Sequence, residues 1–294
     1  MNITVVGSIN LDFVASAPSL PEAGETVTGA TLARHPGGKG ANQALAAEKL
    51  GAEVCLIGRV GDDGMAGEAL ALLEDFGVDL SGVETDIAAP TGVALIAVDP
   101  TGENQIVVAA GANHKATPEQ LPARIECPLI VQLELPIETV EAAVGRATGF
   151  VCANLAPAAP VSDQMLRRAD LIVVNEVEAA FYGSMLHHGG GRVVITQGAR
   201  GAEMYHRGVK MAWATPPSVV AIDATGAGDA FVGAITVALL EGMDPAEALT
   251  FACAAGALAA TRAGAQPSLP TRAEVEALVA AHLEAQAEDD EGNE

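Results

Sequence analysis

The residues with the clearest chemical role are a glycine-rich turn and the acid that follows it: Gly226, Ala227, Gly228 and Asp229. The apolar residues after Asp229 predict a long helix that begins at this turn. The first amides of a helix lack partners and lie at the positive end of its dipole, so they suit phosphate oxygens. A carboxylate there repels an anion unless it takes up a proton, and we interpret Asp229 as a general base for an attacking hydroxyl. The structural alternative is a glycine turn with a stabilising helix acid.

Polar residues in two early segments suit a hydroxyl-rich substrate. Asn10 and Asp12 follow the first predicted strand, where a carboxylate can accept two sugar hydroxyls, although an Asx turn is the alternative. Gly38, Lys39 and Asn42 lie in a tight turn before a helix, where glycine lets a polar ligand approach the backbone. A helix-entry turn without a ligand is the alternative there.

Polar residues also follow three later predicted strands. Glu134 ends one of them before a helix, and helix capping alone can explain it. Asn175 and Glu178 lie at a strand end, within reach of a hydrated magnesium ion, while Thr196 ends the next strand and Gly198 follows it. Together with the glycine-rich turn, these strand ends indicate one composite site.

Two common nucleotide motifs are absent from the sequence. The Gly-Gly-Lys-Gly sequence at 37–40 lacks the first glycine and the final Ser or Thr of a Walker loop, so we exclude that type of site. Neither 189–191 nor 226–228 has the Gly-x-Gly-x-x-Gly spacing after a first strand, so a dinucleotide dehydrogenase is disfavoured.

The elements that must position these residues alternate along the chain. Short runs rich in β-branched residues alternate with segments rich in Ala, Leu and Glu, which is typical of βαβ units. We predict an α/β fold, a three-layer α/β/α sandwich with a mainly parallel sheet. The predicted strands are 3–6, 53–58, 129–132, 150–154, 171–174 and 192–196, and the predicted helices include 40–50, 64–76 and 137–147.

Two regions break this alternation, at about 11–36 and 90–110. Their Pro, Gly and turn residues predict antiparallel hairpins. Two inserted hairpins can pair into a small sheet over the carboxyl ends of the main strands, where ligands bind in open α/β folds. We therefore predict a β-sheet lid inserted into one domain, 1–294, that ends in a flexible acidic tail at 285–294.

Composition limits the classes of partner. Half of the 294 residues are apolar, which is enough for one large core, and the net charge of −23 argues against nucleic acid or an anionic membrane as a partner. Cys55, Cys127, Cys152 and Cys253 are too widely spaced to indicate a zinc site or a disulfide framework. The chain begins directly as a strand and has no apolar run of about 18 residues, so we expect a cytoplasmic protein that is neither exported nor anchored.

Nine segments resemble the ribokinase-like carbohydrate kinase family and together span nearly the whole chain. They are 7–12, 24–29, 37–44, 91–95, 111–113, 132–134, 175–178, 223–229 and 261–268. The resemblance implies the ribokinase-like fold and transfer of the γ-phosphoryl group of ATP to the 5-hydroxyl of a furanose, D-ribose or a related sugar. In that reaction Asp229 would be the base, and the 226–228 amides would hold the developing charge.

The resemblance also assigns ligands to matching positions. The sugar would be held by Asn10, Asp12, Gly38, Lys39, Asn42 and Glu134. Magnesium and the phosphates would be ordered by Asn175 and Glu178, and the nucleotide would contact Thr196 and Gly198. A potassium ion would be bound by Asp223, Thr225, Arg262, Gly264 and Ser268, several of them through backbone carbonyls. The resemblance implies a homodimer that forms through the lid.

Two alternatives stay open at the level of sequence. The first is a kinase of 2-deoxyribose or of a nucleoside on the same fold, and the second is a catalytically silent sugar or nucleotide sensor.

The segment between Glu178 and Arg192 is short compared with the family, as though most of a peripheral helix were missing.

Overall fold

The computed structural model describes residues 1–291, and residues 292–294 lie outside the described part. The strands are, in chain order, β1 (Asn2–Val6), β2 (Asn10–Ser16), β3 (Thr31–Gly37), β4 (Glu53–Gly61), β5 (Asp79–Asp86), β6 (Gly92–Val98), β7 (Asn104–Ala109), β8 (Leu129–Val131), β9 (Val151–Asn154), β10 (Leu171–Asn175), β11 (Arg192–Thr196), β12 (Ala202–His206) and β13 (Val209–Ala214). The α-helices are α1 (Lys39–Lys49), α2 (Gly64–Asp75), α3 (Ile137–Arg146), α4 (Asp163–Arg168), α5 (Glu176–Tyr182), α6 (Ala227–Leu240), α7 (Pro245–Ala259) and α8 (Arg272–Glu291).

The large sheet is mainly parallel, as predicted. Within residues 1–291 it has nine strands in the order β13-β12-β11-β10-β9-β8-β1-β4-β5. The pairs from β11 to β5 are parallel, and β12 and β13 extend one edge in antiparallel fashion. The central strands β8 and β9 are buried along their whole length, as expected where helices cover both faces of a sheet.

Two apolar clusters occupy the two faces of this sheet. One contains buried residues of α1, α2, α6, α7 and the start of α8, and the other contains residues of α3, α4 and α5. This arrangement confirms the predicted three layers. Helix α6, which carries Asp229, packs closely against α1 and α7.

The small sheet has the order β3-β2-β6-β7. The hairpins β2–β3 and β6–β7 are antiparallel, and β2 pairs in parallel with β6. The predicted pairing of two inserted hairpins into a separate small sheet is therefore confirmed. Asn10 and Asp12 belong to β2 of this sheet rather than to the end of β1, because the chain leaves the large sheet after Val6.

Two further segments bear on the predictions. Helix α5 and a 3₁₀ turn at Gly183–His187 fill the short segment between β10 and β11. Helix α8 continues to Glu291 and includes most of the predicted acidic tail, while 292–294 lie outside the described residues. No helix in the described part is long and apolar enough to cross a membrane.

Candidate active site

Helix α6 begins at the glycine-rich turn that the sequence indicated. Its N-cap, Gly226, has a φ of 79°, which residues with a side chain rarely adopt. A Cβ at Gly226 would lie 2.9 Å from the Cα of Ala265, so this turn also packs tightly against the neighbouring 264–268 loop. The Ala227 amide donates to the Ala224 carbonyl at 3.2 Å, whereas Gly228 is the second residue of α6, where an amide has no intrahelical acceptor.

The carboxylate of Asp229 lies in the first turn of α6 and is only 8% exposed. Its Oδ2 accepts a hydrogen bond from Nδ2 of Asn42 at 2.8 Å, and its Oδ1 accepts one from Nε2 of Gln43 at 2.9 Å. Each carboxylate oxygen has two lone pairs, so each retains the capacity to accept a further proton. The Oδ1 of Asn42 is buried and has no hydrogen-bond partner in the described part of the protein.

Lys39 is a half-buried cation near three carboxylates. Burial lowers its pKa, but the negative charges of Asp229, Glu134 and Glu178 together outweigh burial and hold the pKa above its usual value. The Lys39 amide and the Ser8 hydroxyl both donate to Oε2 of Glu134. The raised pKa keeps the ammonium group charged at neutral pH, near carboxylates predicted for the sugar and for the phosphate groups.

Asn10 and Asp12 lie on the same face of β2 and are both buried. Nδ2 of Asn113 donates to Oδ1 of Asn10 at 2.8 Å and to the carbonyl of Ile9 at 3.0 Å. The amino group of Asn10 is thereby left for other acceptors. Gly38 is the N-cap of α1 and has a φ of 87°. It lies so close to β2 that a Cβ there would be 2.8 Å from the amide nitrogen of Asn10.

A cavity of about 210 Å³ lies beside Lys39 and Asp229. The predicted site residues that line it are Lys39, Asn175, Glu178, Thr196, Gly226, Gly228 and Asp229. Gly198, with a φ of 59°, begins a short turn after β11 and is not among the lining residues. A larger cavity of about 360 Å³, formed by residues of α3 and α4, contains no predicted site residue, so the smaller cavity is the candidate for the phosphate groups.

Asn175 and Glu178 form a reciprocal cap at the start of α5. Oδ1 of Asn175 accepts from the Glu178 amide at 2.9 Å, and Oε2 of Glu178 accepts from the Asn175 amide at 2.8 Å. Burial raises the pKa of Glu178, and the Asn175 amide and Lys39 only partly oppose this effect. Across residues 1–291 no group of three or more His, Cys, Asp or Glu side chains is placed to hold a metal ion.

Asp223 joins the two loops that were predicted to bind potassium. Its Oδ1 accepts from the Thr225 amide at 2.9 Å, and its Oδ2 accepts from the Gly264 amide at 2.8 Å. Burial raises the pKa of Asp223, but hydrogen bonds from the Thr225 side chain and from these two amides, together with the charge of His35, outweigh burial and hold it below the usual value. The carboxylate therefore stays ionised and fixes the 264–268 loop next to the turn at Gly226.

The side chains of Arg262 and Ser268 have other partners. The Arg262 guanidinium donates to Glu274, and the Ser268 hydroxyl donates to the carbonyl of Ala265 at 2.7 Å. Either residue can therefore ligate a cation through its backbone carbonyl while its side chain stays engaged, which is compatible with the backbone ligation that the family resemblance implies.

Comparison with known proteins identifies the family. Residues 1–272 match the family model described as the pfkB family of carbohydrate kinases. The chain belongs to this family. It is 38% identical to a ribokinase of Haemophilus influenzae over 92% of this chain and 96% of that protein, and 33% identical to a deoxyribokinase of Salmonella typhi over 92% and 96%. A solved ribokinase from Arabidopsis thaliana, complexed with ribose and ATP, has a TM-score of 0.80 at 30% identity and covers 94% of this chain and 98% of that one.

The site of this pfkB family kinase contains residues that sequence reasoning missed. Gln43 contacts Asp229 directly, and Gln132 and Asn154 contact Gln43. The available signal was a glutamine within the alanine-rich, buried segment 41–47, since a buried amide needs partners. Asn113, which supports Asn10, gave only a weaker signal within the Gly-Ala-Asn sequence at 111–113.

The raised pKa of the Asp12 carboxyl predicts that the stability of the kinase depends on pH. Burial, followed by the charges of Glu134 and Asp229, raises its pKa to about 7. The pKa of Asp12 is higher in the folded than in the unfolded protein. The contribution of Asp12 to the free energy of unfolding is therefore complete below about pH 4 and is lost as the pH rises to about 7. We expect the melting temperature of wild type minus that of Asp12→Asn to fall between pH 4 and pH 7, as measured by differential scanning calorimetry. Parallel curves for the two proteins would contradict this assignment.

Proposed function

We propose that this protein transfers the γ-phosphoryl group of ATP to the 5-hydroxyl of D-ribose and forms ribose 5-phosphate and ADP. The observation that carries the proposal is the Asp229 carboxylate, which two amide side chains orient at the N-terminus of α6. A base at this point serves an attacking hydroxyl, and the helix N-terminus serves the phosphoryl group. Similarity to ribokinases, one of them solved with ribose and ATP, supports ribose as the acceptor.

The sugar is proposed to lie between the small sheet and α1. Asp12 and Glu134 provide carboxylates for its hydroxyl groups, and Asn10, Gly38 and Lys39 complete the pocket. The buried Oδ1 of Asn42 has no partner among the described residues, so a sugar hydroxyl that donates to it would remove an unsatisfied acceptor. The carboxylates of Asp12 and Glu134 and the Asn42 oxygen are all hydrogen-bond acceptors. This excess of acceptors around the proposed sugar position suits a ligand rich in hydroxyl groups.

The phosphate groups are proposed to occupy the cavity beside Asp229. As the 5-hydroxyl oxygen attacks the γ-phosphorus, Asp229 takes the hydroxyl proton, and the bond to the ADP oxygen breaks. The amides of Gly226 and Gly228 and the charged Lys39 stabilise negative charge on the phosphoryl oxygens, and the Ala227 amide joins them when it leaves the Ala224 carbonyl. Thr196, at the end of β11, and Gly198, in the turn after it, are proposed to hold the nucleotide.

Two cations are part of the proposal. Mg²⁺ commonly uses one or two protein carboxylates together with substrate phosphates, and Glu178, supported by Asn175, provides a buried carboxylate at the cavity. K⁺ would be held by Asp223, Thr225, Arg262, Gly264 and Ser268. A cation there would stabilise the geometry of the turn at Gly226, because Asp223 already ties the two loops together.

Initial rates of ADP release test the substrate assignment. D-Ribose, 2-deoxyribose and several nucleosides are compared, each with Mg²⁺ and either K⁺ or tetramethylammonium. We expect the highest kcat/KM with D-ribose and a strong requirement for K⁺. A higher kcat/KM with 2-deoxyribose or a nucleoside would reject ribose as the preferred acceptor, and sugar binding without ADP release would favour a sensor.

A homodimer through the lid is also proposed. The partners Ile96 and Ile106 lie on the face of the small sheet that also carries Asp12, and Val108 extends the same face. Ile106 and Val108 are 54% and 53% exposed. A second copy of this chain would cover these apolar side chains next to the sugar site.

Ile106→Lys is expected to convert this dimer into a monomer, because it places a charge in the apolar contact. Sedimentation velocity at micromolar concentration measures the change. Ile87→Lys is the matched control, since Ile87 is 90% exposed and lies outside the small sheet. A monomeric wild type, or a dimer that Ile106→Lys leaves intact, would contradict the proposal.

A cytoplasmic location is proposed on the basis of the cysteines. All four are free thiols, and Cys152 and Cys253 are buried. Burial raises the pKa of each of these two thiols to about 12, so they stay protonated and unreactive. Free thiols of this kind are typical of proteins in a reducing compartment.

A further inference from the structure

Three buried amide side chains form a continuous hydrogen-bonded row behind Asp229. Nε2 of Gln43 donates to Oδ1 of Asp229 and to Oδ1 of Asn154, both at 2.9 Å. Nε2 of Gln132 donates to Oε1 of Gln43 at 2.7 Å. The row joins α6 to α1, to the end of β8 and to β9, so it connects the helix that carries the base to the centre of the large sheet.

A backbone carbonyl fixes the direction of every amide in this row. Nδ2 of Asn154 donates to the carbonyl of Val173 at 3.0 Å, so its Oδ1 must face Gln43. Both Asn154 Oδ1 and the Asp229 carboxylate are acceptors, and Gln43 must therefore turn its amino group to them. Its Oε1 then faces Gln132, which must donate. No amide in the row can be reversed without placing two acceptors or two donors against each other.

We infer that Gln43 is a positioning residue for phosphoryl transfer, in that it fixes the plane of the Asp229 carboxylate. This inference rests on the proposed function, in which Asp229 accepts the proton of the sugar hydroxyl. Asn42 holds Oδ2 and Gln43 holds Oδ1, so two consecutive residues of α1 hold the two oxygens of one carboxylate. One lone pair of the carboxylate then has a fixed direction towards the substrate hydroxyl.

The arrangement predicts which kinetic constant changes. Gln43 has no exposed surface, and its amide is used by Asp229, Asn154 and Gln132, so it has no role in binding either substrate. Loss of its amide leaves the sugar and nucleotide contacts intact but lets the carboxylate rotate. A misplacement of a reacting group by about 1 Å can cost about 100-fold in rate, and this sets the scale of the loss expected here.

Gln43→Met removes the amide while it keeps the length and approximate volume of the side chain. We expect kcat with D-ribose to fall about 10- to 30-fold, with the KM values for ribose and ATP within about 3-fold of wild type. Thr139→Val is the matched control, because Thr139 is fully buried, donates to the Ala116 carbonyl at 2.9 Å and belongs to α3 on the opposite face of the sheet. Its kcat is expected to stay within about 2-fold of wild type.

A double-mutant cycle separates positioning from general structural support. In an Asp229→Ala background no carboxylate remains to be oriented, so Gln43→Met should change the residual rate by less than about 2-fold. A residue that only supports the fold would lower the rate by the same factor in both backgrounds. Equal factors, or a folded Gln43→Met variant with kcat within about 2-fold of wild type, would overturn the inference.

Gln132→Met provides a second test if Gln43→Met does not fold. It removes the donor to Gln43 but leaves the Asp229 contact, and a several-fold loss of kcat at unchanged KM is expected. An unchanged kcat in this variant would then overturn the inference. If wild type releases no ADP with D-ribose, the proposed substrate is wrong, and the same kcat comparison is made with the sugar that wild type does phosphorylate.

Discussion

Asp229→Asn is expected to lower kcat by about 100-fold or more, while sugar affinity changes far less. The substitution keeps the shape of the side chain but removes its capacity to take the proton of the attacking hydroxyl. Both carboxylate oxygens accept hydrogen bonds from amide groups, so the new amino group must face a donor on Asn42 or Gln43. Asn42 can turn to present its oxygen, and the sugar hydroxyl can then accept from its amino group instead of donating, so we expect the variant to fold and to bind sugar.

Steady-state kinetics and calorimetric titration with ribose measure the two parts of this prediction separately. Asp163→Asn is the matched control, because Asp163 is exposed on α4 and its carboxylate pairs with Arg167. Its kcat should stay within about 2-fold of wild type. A near-normal kcat in Asp229→Asn would rule out Asp229 as the general base.

Gly226→Ala is expected to lower kcat by about 100-fold or more and to reduce thermal stability. The residue has a φ of 79°, and an added Cβ would lie 2.9 Å from the Cα of Ala265, which is backbone and cannot rotate away. The turn must therefore shift, and the amides proposed to face the phosphoryl group shift with it. Loss of a single such donor typically costs about 100- to 1,000-fold, and the strained backbone costs about 1–3 kcal/mol.

The effect of Gly226→Ala is measured by kinetics together with thermal unfolding. Gly145→Ala is the matched control, since a Cβ at this exposed glycine of α3 meets no atom within 4 Å. We expect normal kcat and a slightly higher melting temperature for the control, because alanine is the better helix former. A Gly226→Ala variant with normal kcat would show that the geometry of the turn is not required.

The sequence predicts elements well where the signal is local. β11 has the predicted bounds, 192–196, because a β-branched run lies between a glycine loop and a turn. β5 was not predicted, since Asp-Leu-Ser-Gly-Val-Glu-Thr-Asp is an edge strand without a clear alternation of polar and apolar residues. β12 and β13 were also missed, because their positive-φ turn at Arg207 and Gly208 lacks the Asn-Gly or Asp-Gly signal of a tight hairpin.

The pairing of β2 with β6 shows how much of the small sheet can be predicted from the sequence. Turn residues within each hairpin are a local signal, but the parallel register that places Asp12 beside Ala94 depends on contacts between distant segments. The position of Asn10 and Asp12 within β2 could not be predicted for the same reason. The chain leaves the large sheet at Gly7, where a Cβ would collide with Gly40 of α1, and no nearby sequence pattern reports that contact.

Part of the candidate site can be predicted from local sequence, and part depends on contacts between distant segments. Asp229 and the turn before it form one continuous motif, and the sequence alone indicated them. The contacts that orient Asp229 cannot be predicted in this way, because Gln43 lies 186 residues from Asp229 and 111 residues from Asn154 along the chain. Only the packing of α1 against α6 brings these side chains together.

The most direct test of the central claim is proton-coupled ³¹P NMR of the product formed from D-ribose, ATP, Mg²⁺ and K⁺. Transfer to the 5-hydroxyl places phosphorus next to a CH₂ group, so the product signal should be a triplet that appears together with ADP. A doublet would place the phosphate on a ring carbon with one proton, and no new phosphate ester would mean that ribose is not the acceptor. Either result would contradict the proposed phosphorylation of ribose at its 5-hydroxyl.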